Sequence, residues 1–567
     1  MKNKVFYSVL LVTVVIFSLS FKVGKQQDFE VAKNIEIFNS IVKELDMLYV
    51  DSIDANATIK KGIDAMLYSL DPYTEYYPAS EKSQLEQMIK GSYGGIGSVI
   101  SYDVKKKHSA IAEPYEGMPA AEVGLKVGDV LLEIDGVSLD GKDNQQVSDM
   151  LRGEVGTTFV LKVQRPGTKK PLDFKITRKS IQLPTIPYYG TLEGGKVGYI
   201  ELVSFSGTPA ADFKRAFVEL KSQGIESLVI DLRSNGGGLL DEAVEIINMF
   251  VPKNKIVVTT KGKLPQASST YRTKKQPIDT ETPIVILVSG GTASAAEILA
   301  GSIQDLDRGV VLGTNTFGKG LVQIPRPLPF GANMKLTTAK YYIPSGRCVQ
   351  AIDYSHRNAD GSASRVPDSL LTVFNTSIGR EVKSGNGIMP DIEVKAEKLP
   401  NILFYLVSGN QIFNYATDYC LKHPTIAPAQ EFKLTDQDYA DFKRYVASTD
   451  FTYDAQSDKV LASLKEIAEF EGYLEGAEKE FEALKKKLSH NLDKDLDTFA
   501  EPIRQFLSVE IIKRYYYQKG STIERLKTDK ELKSAIEVLS NKELYNNILK
   551  PTFKPIQSDS LSVLASK

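Results

Sequence analysis

The sequence predicts a multidomain α/β protein that carries an additional small β domain and a helical C-terminal segment. In residues 195–395, apolar strand segments alternate with helical segments, the pattern of an α/β layer with parallel strand pairs. Residues 91–180 instead combine clustered glycines with short β-branched runs and turn signals, which indicates a mostly β domain. From about residue 397 the chain is charged and helical. At roughly 150 residues per domain, 567 residues suit three or four domains.

The composition excludes several classes of function. Lys plus Arg number 70 and Asp plus Glu number 71, so the net charge of −1 provides no general attraction to nucleic acid or to an acidic membrane. Two cysteines cannot form a disulfide framework or a four-thiolate zinc site. The four histidines are scattered without ligand spacing, which argues against a histidine-based zinc hydrolase.

Residues 1–25 have the features of a secretory signal. Lys2 and Lys4 precede an uncharged apolar run from residue 5 to residue 21, and Lys22 and Lys25 follow it. The run is at the lower limit for a membrane-spanning helix, and no clean Ala-x-Ala cleavage site follows it. A cleaved signal and an uncleaved anchor both stay open, and either one would export the rest of the chain.

The predicted division follows these changes of character. It comprises a signal or anchor at 1–25, a helical segment at 26–90, a β domain at 91–180, an α/β core at 181–396 and a helical extension at 397–567. The predicted helices are Thr58–Leu70, Asp143–Leu151, Ala210–Gln223, Leu239–Met249 and Ser294–Asp305. The predicted strands are Gly97–Tyr102, Asp129–Ile134, Thr158–Gln164, Val197–Leu202, Ser227–Leu232, Ile284–Val288 and Val310–Gly313. The tail after Pro551 is predicted to be disordered.

Ser294 is the first candidate for chemistry. The apolar strand Ile284–Val288 runs into a glycine turn, and Ser294 then falls at or near the start of a helix. Free backbone N–H groups and the positive end of the helix dipole at that place can stabilise an oxyanion. The alternative is that Ser294 only caps the helix.

Lys319 is the candidate base, because a serine nucleophile needs one and no histidine lies near it in sequence. It stands between Gly318 and Gly320, and burial in a cleft would lower the pKa of its amine enough to allow a neutral form. The alternatives are a surface lysine and a phosphate contact. A phosphate-binding loop is absent, because Gly320 stands where that motif needs Ser or Thr.

A third element is the glycine-rich loop Asp231–Gly238, in which a strand ends in three glycines. Such a loop can point N–H groups at a developing negative charge, although a plain turn is the default interpretation.

Together these segments resemble the carboxyl-terminal processing proteases, also called tail-specific proteases. That family has a strand ending in Asp-Leu-Arg-x-Asn-x-Gly-Gly, then a Ser-Ala-rich segment and a Gly-Lys-Gly loop, as at Asp231–Gly238, Thr292–Glu297 and Gly318–Gly320. The Ser-to-Lys spacing of about 25 also matches, since 319 − 294 = 25. The resemblance covers roughly residues 30–395 and includes Asp71–Thr74, Tyr341–Arg347 and Gly385–Asp391. It implies a crotonase-like α/β protease core with an inserted PDZ-like domain.

The resemblance also implies roles for single residues. Ser294 would be the nucleophile, a neutral Lys319 the base, and Gln323, four residues further on, would orient the lysine amine. The amides of Ala295 and of one glycine of Gly236–Gly238, with Gly237 preferred, would form the oxyanion hole. Neither a metal nor an organic cofactor is expected. An acidic residue about eleven positions after the serine is matched by Asp305, for which a structural role at the helix end is expected.

The PDZ-like domain is expected to bind peptide C-termini. Its carboxylate-binding loop would comprise Gly94, Gly95, Ile96 and Gly97, and the strand after it would pair with the peptide. The helix Asp143–Leu151 would form the other wall of the peptide groove, and Arg152, which follows this groove helix, is hypothesised to couple peptide binding to the protease core. Use of the domain for packing alone is the alternative.

The predicted function is therefore a Ser/Lys endopeptidase that recognises substrate C-termini and cleaves or degrades exported proteins in the periplasm or cell envelope. Its partners would be proteins or peptides with free C-termini and not nucleic acid. Membrane association through residues 5–21 and self-association are left open. The main alternative is a catalytically inactive PDZ scaffold. A third class, acyl-CoA chemistry by analogy with crotonases, lacks an evident CoA site.

Overall fold

The computed structural model describes residues 28–560 except 83, 84, 86, 87, 89, 90, 396, 397, 454, 455, 489 and 490. The predicted signal or anchor at 1–25 lies outside the described residues. Within these limits, no helix is both long enough and apolar enough to cross a membrane. The described residues form two compact units, of which the smaller comprises residues 28–82, Gln323–Thr337 and Arg357–Ser362.

The smaller unit begins with two helices, α1 (28–48) and α2 (Ala55–Tyr68), followed by the strand β1 (Glu75–Tyr77). Asp54 caps α2 by accepting the Ala57 N–H at 3.0 Å. The strand stands where a helical segment was predicted. The segment is extended because Pro72 prevents continuation of the helix and the tyrosines after it favour extended backbone. The strand pairs antiparallel with residues 333–335.

The β domain of the larger unit is a six-stranded antiparallel sheet with two helices. Its strands follow the order β3-β4-β5-β7-β8, with β6 on β5, while β2 and β9 form a separate pair. Asp143 and Gln146 form a capping box at the start of α4, where the helix at 143–151 was predicted. The elements are β2 (Ser92–Gly95), β3 (Ser98–Asp103), β4 (His108–Pro114), α3 (Pro119–Glu122), β5 (Val130–Ile134), β6 (Val137–Ser138), α4 (Asn144–Leu151), β7 (Thr158–Gln164), β8 (Leu172–Thr177) and β9 (Lys179–Gln182).

The α/β core contains a seven-stranded sheet. Its first strand is antiparallel and the next ones are parallel, as the alternation of elements predicted. The elements are β10 (Tyr188–Leu192), β11 (Val197–Glu201), α5 (Pro209–Ser222), β12 (Ser227–Asp231), α6 (Leu240–Ile247), β13 (Ile256–Gly262), β14 (Ser269–Arg272), β15 (Ile284–Val288), α7 (Ala295–Asp305) and β16 (Val310–Gly313). Successive residues of β15 face opposite sides of the sheet, so Ile286 packs with α5, α6 and α7 while Leu287 faces away from them.

Further strands between residues 321 and 393 were not predicted. The residues 339–342 of β18 pair antiparallel with β13, which pairs in turn with β14. The amphipathic patterns of these strands are interrupted by loops, and for that reason the sequence did not reveal the strands. The strands are β17 (Leu321–Pro327), β18 (Asn333–Tyr342), β19 (Ile352–Arg357), β20 (Ala363–Arg365), β21 (Val373–Asn375), β22 (Glu381–Lys383) and β23 (Ile392–Glu393).

The C-terminal extension is helical, as predicted; its last helices pack on the core sheet, while residues 402–512 form a hydrophobic cluster of their own. Leu532, Val538 and Ile548 of its last helices bury against the second face of the sheet. The elements are α8 (Asn401–Ser408), α9 (Gln411–Lys422), α10 (Asp436–Ala447), α11 (Gln456–Phe470), α12 (Leu474–Leu488), α13 (Leu492–Thr498), α14 (Ala500–Leu526), α15 (Lys530–Ser540), α16 (Lys542–Ile548) and β24 (Ile556–Gln557).

The tail beyond Pro551 is ordered through residue 560, contrary to the prediction. β24 pairs parallel with β23 and becomes the last strand of the core sheet. A two-residue strand has too little pattern to be recognised in sequence. It forms because the edge of the sheet offers unpaired backbone groups.

Candidate active site

Ser294 lies between the end of β15 and the start of α7. Its backbone has φ +57° and ψ −119°, whereas a residue that only caps a helix normally has extended backbone. A positive φ at a non-glycine residue costs on the order of 1–3 kcal/mol and persists only where surrounding contacts hold it. The strand, sharp turn and helix resemble the arrangement that exposes nucleophiles in other hydrolases. The backbone at Ser294 therefore favours a role beyond capping.

Glu297 holds Ser294 and the Lys319 loop together. One carboxylate oxygen, Oε2, accepts the backbone N–H groups of Ser294 at 2.9 Å and of Lys319 at 2.8 Å. The other, Oε1, accepts the Gly318 N–H at 2.9 Å and the Thr316 hydroxyl at 2.5 Å. Four donors thus converge on one side chain that is fully buried.

Burial raises the pKa of Glu297 to about 7, although its hydrogen bonds from Thr316, Lys319, Ser294 and Gly318 each lower it. Removal from water disfavours the carboxylate more strongly than these donors favour it. The ionised form is nevertheless the one that accepts from all four. A proton on Glu297 would occupy an oxygen that the surrounding donors need.

Tyr341 forms a second bridge between the two segments. Its hydroxyl lies 2.5 Å from the carbonyl oxygen of Lys319 and 3.1 Å from that of Ser294. The ring is almost completely buried. The backbones of Ser294 and Lys319 are therefore tied together on their N–H groups and on their carbonyl groups.

Close packing keeps the lysine loop in place. Gly318 has φ +88°, and a Cβ there would lie 2.2 Å from the Cβ of Ala351, so no other residue fits. The adjacent Phe317 N–H donates to the Thr292 carbonyl at 3.0 Å. The Lys319 side chain is half-buried. The flanking glycines that were noted in the sequence thus permit a close approach to residues 348–351.

Gly237 lies directly against Ser294. A Cβ at this position would be 2.7 Å from the Ser294 Cβ and 3.0 Å from the Ala295 nitrogen. The glycine loop is therefore adjacent to the start of α7, where the oxyanion hole was predicted. The Gly237 N–H donates to Asn235 Oδ1 at 2.8 Å in this arrangement. Asn235 is fully buried and also accepts the Ala293 N–H on its carbonyl at 2.9 Å.

Gln323 belongs to the smaller unit, where a hydrogen-bonded chain fixes its side chain. Its Nε2 donates to Thr337 Oγ1 at 3.0 Å, and that hydroxyl donates to Asp71 Oδ1 at 3.2 Å. Asp71 also accepts the Tyr73 and Thr74 N–H groups at 2.8 Å each. The Asp71–Thr74 segment, which the sequence analysis included in the resemblance, thus anchors the residue that was predicted to orient the base.

The predicted carboxylate-binding loop lies beside the C-terminal end of α4. Gly94 and Gly95 pair with β9, and the Gly94 carbonyl accepts the Gly153 N–H at 3.1 Å. Ile96 is buried in the β domain, and its carbonyl accepts the Ala120 N–H at 2.8 Å. Gly97 has φ +68°. The loop therefore joins the groove helix to the β2–β9 pair that connects the domain to the core.

Arg152 contacts Tyr93, the residue just before the Gly94–Gly97 loop. Its guanidinium carbon lies 5.0 Å from the centre of the Tyr93 ring, a cation–π geometry. Burial raises the pKa of Tyr93, and the positive charge of Arg152 opposes that shift. The arginine thus touches the residue that precedes the glycine loop.

Asp305, at the end of α7, has no access to solvent. Its carboxylate accepts from Arg347 at 2.8 Å and from the Ser345 N–H at 3.0 Å, and both ionic side chains are fully buried. This is the structural position at the helix end that the sequence led us to expect.

Several residues of the site were not predicted from sequence. Glu297 was named only as the last residue of the Ser-Ala-rich segment Thr292–Glu297, although its spacing of three from Ser294 is the pattern of a capping box. Tyr341 was noted only as the first residue of the motif Tyr341–Arg347, and nothing in the sequence indicated that Thr316, three residues before Lys319, donates to Glu297. In the described ranges no group of three or more His, Cys, Asp or Glu is placed to hold a metal ion.

Comparisons with family models match three parts of the chain. Residues 196–355 match peptidase family S41, residues 111–165 match a PDZ domain, and residues 402–539 match the C-terminal helical domain of probable PDZ-proteases. The predicted fold class, an α/β protease core with an inserted PDZ-like domain and a helical C-terminal extension, is confirmed.

Individual proteins are also similar. The carboxy-terminal-processing protease of Bartonella bacilliformis is 35% identical over 56% of this chain and 73% of its own. The carboxy-terminal processing protease CtpB of Bacillus subtilis is 34% identical over 57% of this chain and 67% of its own. The solved photosystem II D1 C-terminal processing protease aligns with 28% identity over 65% of this chain and 88% of its own, at a TM-score of 0.36.

Proposed function

Because the chain belongs to the carboxy-terminal processing proteases, which are serine peptidases, we propose that Ser294 and Lys319 form its catalytic dyad. The observation that carries the proposal is the shared carboxylate of Glu297, which accepts the backbone N–H groups of both residues. The carboxylate thereby holds together two residues that are 25 positions apart in the chain (319 − 294 = 25). Such positioning is a principal source of catalytic rate.

In this proposal Ser294 Oγ attacks the scissile carbonyl carbon while the neutral Lys319 amine accepts the hydroxyl proton. The same lysine then protonates the leaving amine, and water hydrolyses the acyl-enzyme by the reverse transfers. The Ala295 amide stabilises the oxyanion, and the Gly237 N–H joins it on leaving Asn235 Oδ1, which accepts it at 2.8 Å in this structure. Gln323 orients the lysine, and its own amide is held by Thr337.

Substrates are proposed to be proteins with a free C-terminus. The support is the PDZ match and the placement of the Gly94–Gly97 loop at the end of α4. A peptide carboxylate would bind to this loop and the peptide would extend along β3. The lysine-flanked apolar run at residues 5–21 supports export to the periplasm or cell envelope.

The experiment that tests this function uses the full chain and a fluorophosphonate probe. We expect covalent labelling at Ser294, located by mass spectrometry, and cleavage of an unfolded test protein that Ser294→Ala abolishes. Loss of the nucleophile removes nearly all of the rate enhancement. A matched peptide pair with a free and an amidated C-terminus then tests the selection of tails.

Absence of both labelling and cleavage, with retained binding of the free-tailed peptide, would instead support the inactive PDZ scaffold. Cleavage that persists in Ser294→Ala would refute the assigned nucleophile. Equal turnover of the free and amidated peptides would refute C-terminal selection while leaving the dyad in place.

A further inference from the structure

The C-terminal extension contacts the glycine loop of the active site through one arginine. Arg233, from the Asp-Leu-Arg segment after β12, donates through Nη1 to Asp529 Oδ1 at 3.0 Å and through Nη2 to Asp529 Oδ2 at 2.5 Å. Its Nη1 also donates to Glu531 Oε2 at 3.2 Å. This bidentate pair is a strong and directional form of ionic hydrogen bond.

The arginine is held on its other side by its own strand. Asp231 accepts from Arg233 Nε at 3.0 Å and from Nη2 at 2.6 Å, and it also accepts the Tyr199 hydroxyl at 2.7 Å. Burial acts to raise the pKa of Asp231, but the charge and hydrogen bonds of Arg233 and Tyr199 hold it below its ordinary value. Three carboxylates thus fix one guanidinium that is 20% exposed.

The backbone at Arg233 is joined to the nucleophile turn. The Arg233 carbonyl accepts the Ser289 hydroxyl, and the Leu232 carbonyl accepts the Thr292 hydroxyl at 2.7 Å. Two residues further on, the Asn235 carbonyl accepts the Ala293 N–H at 2.9 Å. A shift of Arg233 would therefore displace the turn that sets Gly237 against Ser294.

Asp529 is itself held in a fixed position. It caps α15 by accepting the Leu532 N–H at 2.8 Å, and Leu532 is buried against the core sheet. The next helix adds a further attachment, because the Tyr545 hydroxyl lies 3.0 Å from the nitrogen and 3.2 Å from the oxygen of Ile284, where β15 begins. Asp529 and Glu531, which bind Arg233, therefore lie at the start of a helix that is packed firmly on the core sheet.

We propose that Asp529 and Glu531 are positioning residues that make the C-terminal extension a structural support for the oxyanion loop 232–238. Asp529 and Glu531 act through Arg233 and do not touch the substrate. The proposal rests on the proposed function of Ser294, and it assigns a role to the segment beyond residue 397. Without the contacts of Asp529 and Glu531 to Arg233, the loop 232–238 keeps its fold. It then also adopts positions in which Gly237 is farther from its place beside Ser294.

The test uses the full chain with Asp529→Asn and Glu531→Gln combined. Asparagine caps helices as well as aspartate, so α15 keeps its first turn while the ionic contact to Arg233 is lost. We expect kcat to fall about tenfold with KM changed less than about twofold, the size of effect that coupling residues transmit. Hydrogen–deuterium exchange is expected to increase in the peptide 232–238.

The matched control is Asp493→Asn. This acid pairs with Lys443 at 2.7 Å inside the helical extension, in the first turn of its helix, without contacting Arg233. It should keep the parental kcat and the parental exchange in 232–238. Glu531→Gln alone leaves the Asp529 cap intact and should show the same changes at smaller size, which preserves the test if the double variant fails to fold.

Parental kcat and parental exchange in 232–238 in the double variant would overturn the proposal. So would a loss of kcat without increased exchange there, or an equal loss in Asp493→Asn. If Ser294→Ala leaves cleavage unchanged, the proposed function fails. The exchange measurement alone then decides whether the contacts of Asp529 and Glu531 with Arg233 order the loop 232–238.

Discussion

The Glu297 carboxylate accepts the Lys319 backbone N–H at 2.8 Å. The same oxygen accepts the Ser294 N–H at 2.9 Å. A single buried charge therefore sets the distance between the start of α7 and the lysine loop. Because Glu297 is the shared partner, changes to it should affect the two proposed catalytic residues together.

Replacement of Glu297 by glutamine should reduce both activity and stability. An amide has one acceptor oxygen and brings two donors of its own, so backbone N–H groups of Ser294, Gly318 or Lys319 lose a partner. Each unpaired buried donor costs about 1–3 kcal/mol of unfolding free energy. We expect kcat to fall about 10²-fold through misplacement, measured with chemical denaturation in parallel. Glu245→Gln, which alters a surface pair with Lys275, is the control. Unchanged kcat in Glu297→Gln would contradict the positioning role.

The raised pKa of Glu297 predicts opposite pH trends for stability and activity. Burial moves this pKa from 4.5 to about 7, so the folded state binds the proton more tightly than the unfolded chain. That contribution to stability is complete below about pH 4.5 and is lost as the pH rises through about 7. Activity should increase over the upper part of this window, because the ionised carboxylate accepts all four donors. Denaturation and turnover measured across the window test both signs, and an identical stability slope in Glu297→Gln would refute this assignment.

Lys319→Arg should inactivate the enzyme while leaving its fold intact. A guanidinium stays protonated and cannot accept the serine proton. A general base contributes about 10²–10⁴-fold to the rate, and a loss of that size is expected in kcat. In the parent, turnover should rise with pH as the lysine becomes neutral. The exposed Lys340→Arg serves as the control. Cleavage at the parental rate by Lys319→Arg would show that another group is the base.

Gly237→Ala should abolish activity for a steric reason. The added Cβ would lie 2.7 Å from the Ser294 Cβ and 2.8 Å from the Ala293 carbonyl oxygen, at a backbone φ of +101°. Gly290→Ala, in the adjacent turn, has open space at its Cβ and should keep most of the parental rate. The comparison is made by kcat and by fluorophosphonate labelling. Similar labelling rates for the two variants would exclude close packing as the reason for this glycine.

Arg152→Ala should weaken the coupling between tail binding and cleavage. The arginine stacks on Tyr93, next to the carboxylate loop. Loss of this contact should lower turnover of free-tailed substrates by about 5–20-fold, the range of a modest coupling energy. Peptide affinity, measured in full chains that also carry Ser294→Ala, should stay within about twofold. Lys105→Ala on the exposed β3–β4 turn is the control. Unchanged turnover of both tailed and amidated substrates in Arg152→Ala would rule out a coupling role.

Periodicity in the sequence recovered the elements whose pattern is local. β7, β15 and β16 have the predicted bounds, and α7 begins one residue after the predicted start. β15 and β16 are continuous apolar runs, the composition that burial on both faces of a sheet requires, whereas β7 alternates buried and more exposed residues. β4 and β18 were missed because their apolar residues alternate weakly. β8 was missed although Leu172, Phe174 and Ile176 alternate with polar residues, which is the pattern of a half-buried strand. Ordered motifs in the chain were also sufficient to predict the family.

The sequence by itself determined the composition limits, the core strands and the candidates Ser294, Lys319 and Gly237, because each belongs to a local pattern of strand, turn and helix. Tertiary structure alone decided which distant groups meet there. Glu297 became the shared acceptor, Tyr341 the second bridge and Asp529 the partner of Arg233, across separations up to 529 − 233 = 296 residues. The physical reason is that hydrogen bonds and buried ion pairs depend on three-dimensional proximity, while hydrophobic periodicity records only which face of an element is covered.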